Sequence, residues 1–223
     1  MLRRPLFWIL FVTASGLALL FTVQYFSAGF PIVGLDLRMD RDEALSRASE
    51  LAERFTLGSE EYSQAATFGV DTRFQTYVEL EAGGAERFRE FLDGEIYSPY
   101  SWEVRHFQPG EVREVRFWFT PAGEPYGFRE NLAEDEPGAS LSAEQAEAIA
   151  REEARTWQVD LSRFDLQESS QEVRPGGRTD HAFVWEMPDT DVGEARFRLR
   201  VGVSGDRLTE LRHYVQIPET FSR

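Results

Sequence analysis

From Leu6 to Phe26 the chain is mostly Leu, Phe, Val, Ala and Ile, with Thr13, Ser15, Thr22 and Gln24 as the polar interruptions, and no charge falls between Arg4 and Asp36. At about 1.5 Å of rise per residue these positions make a helix roughly 30 Å long, the thickness of a bilayer's hydrocarbon core. The pattern predicts one transmembrane helix that contacts the lipid bilayer through residues 6-26. Trp8 and Tyr25 stand near its two ends, where amphipathic rings favour the headgroup region. A cleaved signal peptide would share the basic start but would have an apolar region of only about 7–15 residues. Ser27-Ala28-Gly29 supply the small residues such a site uses, yet the run is longer, and its length favours a retained anchor.

Beyond Asp36 the pattern changes period, and it does so twice. MDRDEALSRASELAERF begins at Met39 and LSAEQAEAIAREEARTW at Leu141, a constant offset of 102 that sets Asp40 over Ser142 and Phe55 over Trp157. Ala44, Leu45, Ala48, Leu51, Ala52 and Phe55 form one helical stripe, and Ala146, Ile149, Ala150 and Trp157 form the other. Asp40 with Glu43, and Ser142 with Gln145, have the spacing of a capping box. Each helix is followed by short alternating or aromatic-rich runs. In the first half these are Gln64 to Val70, Thr72 to Leu80, Trp102 to Phe107 and Val112 to Thr120, with a short extra helix from Ala85 to Leu92 entered through Gly83-Gly84. In the second they are Leu166 to Val173, Ala182 to Met187, Ala195 to Val203 and Leu208 to Ile217. Phe197, Leu199 and Val201 alternate with Arg196, Arg198 and Arg200, which puts Arg on the wet face of a strand.

One helix and about four antiparallel strands, repeated, predict an α+β fold in which a helix covers one face of each sheet. The expected organisation is a cytoplasmic start and transmembrane anchor over 1-35, a first repeat over 36-130, a linker over 131-140 and a second repeat over 141-223. The helix, the Val184-Trp185-Glu186 strand and the hairpin turning at Ser204-Gly205-Asp206 resemble PepSY-like or cystatin-like domains in layout.

Charge adds an address. The chain has 39 acidic and 24 basic residues, all 24 of them Arg, for a net charge of -15. Arg3 and Arg4 precede the apolar run and Asp36 is the first charge after it, so the positive-inside rule places the N-terminus in the cytoplasm. The exported part then holds 22 Arg against 39 acids, a net -17. So acidic a surface argues against nucleic acid as a partner. The absence of Lys and Cys removes Schiff-base chemistry, the P-loop lysine, thiol nucleophiles, Cys-ligated zinc and disulfides.

Longer strings carry a second resemblance. PYSWEVRHFQPGEVREVRFWFTPAGEPYGFRENLAEDEPGASLS, RPGGRTDHAFVWE and VSGDRLTELRHYVQIPETFSR look like the extracytoplasmic region that precedes the membrane core in a subset of bacterial CPBP-family (CAAX protease-like) intramembrane metalloproteases. The resemblance covers most of Asp36 to Arg223 and implies a bacterial inner-membrane location, single-pass, with the C-terminal domain outside. The family's catalytic Glu-Glu-x-x-x-Arg motif is missing: Glu152-Glu153-Ala154-Arg155 brings its Arg too early, and Glu60-Glu61 has none after it. No second apolar run of about 18 residues follows. The resemblance therefore implies an accessory or recognition module with no catalytic residues of its own; a stand-alone PepSY-like inhibitor or envelope sensor is the alternative.

Local motifs agree with binding more than with reaction. His106, His181 and His213 are 75 and 32 residues apart and show no zinc spacing, so no metal or other cofactor is expected. Acid pairs such as Glu60-Glu61 and Glu134-Asp135-Glu136 read as solvated surface, although a hydrolase using two carboxylates would draw on the same residue types. No Gly-x-Ser-x-Gly elbow occurs. The aromatic content, 13% of the chain, is the positive signal. Alternation in Phe117-Trp118-Phe119 sends Trp118 to the face opposite its neighbours. Trp102, Trp118, Tyr126 and Trp185 are the candidates for a surface that meets a protein or peptide partner; burial of both faces by packing one sheet on the other is the competing expectation.

Overall fold

The computed structural model describes residues 5–29, 31–92, 97–188 and 190–222. Arg3 and Arg4, on which the inward orientation of the N-terminus rests, lie outside the described residues. Helix α1 runs Pro5–Gly29 and contains one stretch, Pro5–Tyr25, long and apolar enough to cross a membrane. Leu37–Arg223 is a separate compact unit.

Within that unit α2 spans Arg41–Phe55 and α5 spans Ala143–Thr156. Both start where the caps place them. Gln145 N donates to Ser142 Oγ (3.3 Å) while Ser142 N donates to Gln145 Oε1 (3.0 Å), a complete capping box. In α2 only half of it forms. Glu43 N donates to Asp40 Oδ1 at 2.9 Å, but the Glu43 carboxylate turns down the helix to accept from Arg47 at 2.6 Å. The exits are duplicated as well: Thr56 (φ 53°) and Gln158 (φ 62°) are left-handed at equivalent positions. The next residues, Leu57 and Val159, each donate their N–H back to an alanine carbonyl, Ala52 and Ala154.

The strands are β1 Ser63–Val70, β2 Tyr100–Phe107, β3 Glu114–Phe119, β4 Pro125–Asn131, β5 Asp165–Val173, β6 Thr179–Glu186, β7 Arg196–Ser204 and β8 Arg207–Gln216. They form one eight-stranded antiparallel sheet in the order β1-β2-β3-β4-β8-β7-β6-β5. The order is palindromic, with a pseudo-twofold axis between β4 and β8. The expectation that two small sheets stack face to face is therefore replaced by an edge-to-edge seam. That seam is short: Phe128 pairs with Leu211 and Arg129 with Glu210.

Two further elements differ from the sequence reading. Thr72 to Leu80, rich in aromatic and β-branched residues, is not a strand but helix α3 (Thr72–Glu81). Asp71 caps it, accepting from Phe74 N at 3.0 Å, and Phe74, Tyr77 and Val78 bury one helical stripe. β4 covers residues to which the sequence reading assigned no element, and it continues to Asn131, the first residue of the expected linker. α4, Gly84–Glu90, forms where the extra helix is expected. The repeat offset falls from 102 between the first residues of β1 and β5 to 79 between those of β2 and β6, because α3 and α4 are inserted in the first half alone.

All of this serves one core. α2 and α5 lay alanines (Ala44, Ala48, Ala146 and Ala150) on the sheet, where Trp102, Val104, Phe117, Phe128, Phe183, Trp185, Leu199 and Val201 project toward them. Small helix residues let the helices approach closely while the sheet supplies the bulk. The insertion packs beside this core through Phe74, whose ring lies 5.2 Å from Tyr97 and 5.9 Å from Phe197 of the second half. Tyr77 Oη accepts from Glu194 N at 3.0 Å, fixing the loop before β7.

Candidate functional site

The sheet face opposite the helices carries alternating charge. Arg105 reaches Glu114 at 2.6 Å, Arg116 bridges Glu114 (2.9 Å) and Glu103 (3.1 Å), and Arg198 and Arg200 pair with Glu186 (2.9 Å) and Glu210 (3.1 Å). These half-exposed pairs contribute little stability each. They define a wet face, and a cleft of about 510 Å³ interrupts it at the end of the first repeat.

Each wall of the cleft comes from a different element. β1 supplies Thr67 and Gly69, β2 supplies Ser101 and Glu103, β3 supplies Trp118, β4 supplies Tyr126, and β8 supplies Arg212 and His213. Asp71 and Tyr97, which flank the insertion, close the end. Gly127 makes the joint possible. It pairs with Trp118 in the β3–β4 register, and a Cβ there would stand 2.3 Å from the Leu211 carbonyl oxygen. With no side chain in the way, β8 comes close enough for the Arg212 guanidinium to sit 5.5 Å from the Trp118 ring. Behind that contact, on the side of the sheet that Leu199 faces, Tyr126 stacks on His213 at 4.6 Å with its ring 6.4 Å from Tyr97.

Hydrogen bonds already occupy most polar groups in the cleft. Asp71 accepts from Phe74 N and from Tyr97 Oη (2.7 Å), Tyr126 Oη accepts from Ser98 N (3.0 Å), and Glu103 accepts from Arg116 and from Trp118 Nε1 (3.3 Å). Burial, then the nearby Asp71 charge, pushes the Tyr97 phenol well above its ordinary pKa; burial also raises that of Tyr126. Burial lowers His213 to about 4. All three are thus neutral at pH 7 and move away from the range where a group exchanges protons efficiently. The cleft offers shape, aromatic surface and fixed dipoles.

The four aromatics singled out from the sequence divide two and two. Trp118 and Tyr126 come together in the cleft. Trp102 and Trp185 instead lie buried beneath the helices and present no surface to a partner. Trp102 Nε1 donates to the Met39 carbonyl at 3.2 Å, and His181 Nε2 stands 3.0 Å from the Leu141 carbonyl. Met39 and Leu141 are equivalent at the offset of 102, so each helix entry is tethered to its sheet in the same way. Sequence reasoning missed Asp71, Tyr97, Gly127 and Arg212, and weighed His213 only as a metal ligand. Asp71 had a readable signal as the cap of α3, whereas the others depend on the β4–β8 seam.

A second cleft, about 740 Å³, occupies the related position in the other repeat. Its chemistry differs. Arg178 is buried there, donating to Asp180 at 2.7 Å and to the Glu136 carbonyl at 2.8 Å, so it stitches the connecting segment onto the sheet. The three histidines lie apart, and among the described residues no group of three or more His, Asp or Glu is placed to hold a metal ion.

No protein family matches the sequence, and no curated protein matches it. Among solved structures, the Bacillus megaterium YpeB C-terminal domain is similar at a TM-score of 0.43 and 12% identity, over 81% of this chain and 69% of that one.

Proposed function

We propose that the chain is a membrane-anchored recognition module whose helix-free sheet face binds a protein or peptide segment, without chemistry of its own. The observation that carries this reading is the cleft beside Trp118, partly open, closed by Tyr97 and Tyr126, and with most of its polar side chains engaged in internal hydrogen bonds. Aromatic anchors in a partly open depression are what binding energy concentrates on in interfaces. The apolar helix Pro5–Tyr25 supports an anchor that confines the encounter to a membrane surface. Charge flanking that helix supports an extracytoplasmic domain. The resemblance of the long strings to the region preceding the CPBP protease core, which no family match accompanies, is the basis for an accessory role beside such a core, with proteolysis belonging to the core and not to this domain.

A photo-crosslinking residue at Trp118, in the full chain in native membranes, tests the reading. A discrete adduct absent when the same probe replaces exposed Leu80 is the expected result. Equal labelling at both positions, or metal-dependent peptide cleavage by the purified chain, overturns it. A periplasm-active reporter fused after Arg223 reads the orientation. DNA beyond codon 223 encoding apolar helices with Glu-Glu-x-x-x-Arg would establish the protease kinship.

A further inference from the structure

Among the described residues the sheet ends in two strands that pair on one side only, β1 and β5, and these are equivalent in the duplicated frame. Their edges have been treated in opposite ways. β5 carries Asp165, Glu168 and Glu172, has all nine residues exposed, and has a register irregularity between Leu166 and Glu168. Charges and bulges on an edge strand block pairing with another chain. β1 has neither. Its eight residues, Ser-Gln-Ala-Ala-Thr-Phe-Gly-Val, carry no charge and pair with β2 in unbroken register from Ser63↔Phe107 to Val70↔Tyr100.

β1 also opens directly onto the cleft. Thr67 and Gly69 form its rim, and a Cβ built at Gly69 would find no described atom within 4 Å. A side chain carried by a strand added outside β1 therefore has a clear path across Gly69 toward Glu103, Asp71 and Trp118. Asp71 has no arginine partner among the described residues, Glu103 shares Arg116 with Glu114, and the domain as a whole has 39 acids to 22 Arg beyond the anchor. That charge repels a second copy of this chain and attracts a cation.

We infer that β1 is a docking edge: an extended segment of a partner protein adds to it as a ninth strand and directs a basic side chain over Gly69 into the cleft. Main-chain hydrogen bonds along the edge would give affinity, and the cleft would select the basic residue. The inference deepens the recognition reading above and rests on it.

A displayed library of random twelve-residue peptides, selected on the purified full chain reconstituted in vesicles through helix α1, tests the inference. Selected peptides should be enriched in Arg or Lys, and replacing that residue with Glu should weaken binding at least tenfold. Methylating alternate backbone nitrogens of the peptide should weaken it similarly. Gly69→Phe fills the path at a position with room for a side chain, and Thr67→Lys adds to β1 a guard of the kind β5 already has. Each should cost tenfold or more, while Gln171→Lys on β5 should cost nothing. Peptides that lose affinity with Trp118→Ala but ignore Thr67→Lys and backbone methylation would overturn strand addition and leave the recognition cleft standing. If no peptide is selected on any face, both readings fall.

Discussion

Phe55 and Trp157, the residues that follow one another at the repeat offset of 102, stack with ring centroids 4.7 Å apart. They end equivalent helices and meet near the pseudo-twofold axis. Phe128, in the seam strand β4, also stacks on Trp157, at 4.4 Å. The two halves thus meet at matched positions, in the helix layer as well as in the sheet. Trp157→Ala should cost about 3–5 kcal/mol, as for other large aromatic truncations in a core. With Phe55→Ala, a double-mutant cycle in urea should show a coupling of about 1 kcal/mol.

Glu130 is the polar counterpart of that joint. Its side chain is fully buried, accepts from Gly58 N at 2.9 Å, and faces Arg113 at 3.4 Å and Arg207 at 2.9 Å. Arg207 begins β8, so the carboxylate ties the second half to the first. Glu130→Ala removes the anion shared by Arg113 and Arg207 and leaves Gly58 N without its acceptor, and should destabilise the domain by about 2–3 kcal/mol. Chemical denaturation read by far-UV circular dichroism checks this; a loss below about 1 kcal/mol would contradict the role.

Two glycines should respond in opposite ways. Gly127→Ala forces a Cβ toward the Leu211 carbonyl and should cost about 2 kcal/mol or more, with loss of the Arg212–Trp118 contact visible in tryptophan fluorescence. Gly69→Ala meets nothing and should be neutral or mildly stabilising, because alanine has less unfolded-state entropy to lose.

Thr56 adopts a left-handed conformation that suits a β-branched residue poorly. Thr56→Gly should raise stability by roughly 0.5–1 kcal/mol, measured as an upward shift in Tm.

Acid should weaken the fold in a defined window. Burial lowers His106 and His213 from an ordinary 6.5 to about 4. The unfolded chain therefore binds more protons than the folded one between about pH 6.5 and 4. Stability should be full above pH 6.5 and fall steadily as the pH drops through that window. His106 is 3% exposed, stacks on Tyr62 at 4.1 Å, and has Gln64 Nε2 3.0 Å from its Nε2. It should account for up to about 3 kcal/mol of the loss. His106→Gln should flatten the slope of stability against pH between 6.5 and 4.5, above the range where most carboxylates titrate.

Local pattern was enough for the membrane helix, α2, α5 and most strands, because caps and periodicity are written within a few neighbouring residues. It failed at Thr72 to Leu80, where β-prone residue types outweighed the 3–4 spacing of Phe74, Tyr77 and Val78. It was silent at β4, where Pro125 and Gly127 interrupt the alternation that marks a strand. The cleft was half legible. Trp118 follows from alternation, but Arg212 reaches it only because two distant strands meet at a two-pair seam, and nothing near either residue encodes that meeting. Trp102 and Trp185 look identical to Trp118 in composition and differ only in which side of the pleat they occupy.

The short seam also determines what would happen to a severed half. Cut between the repeats, the first half would end its sheet at β4 and the second at β8, each strand having lost its mate. Both halves carry the geometry to pair with another copy of themselves about the same axis. Separately expressed, each should appear as a dimer, and mixed together they should exchange into the one-to-one complex that restores Phe55 to Trp157.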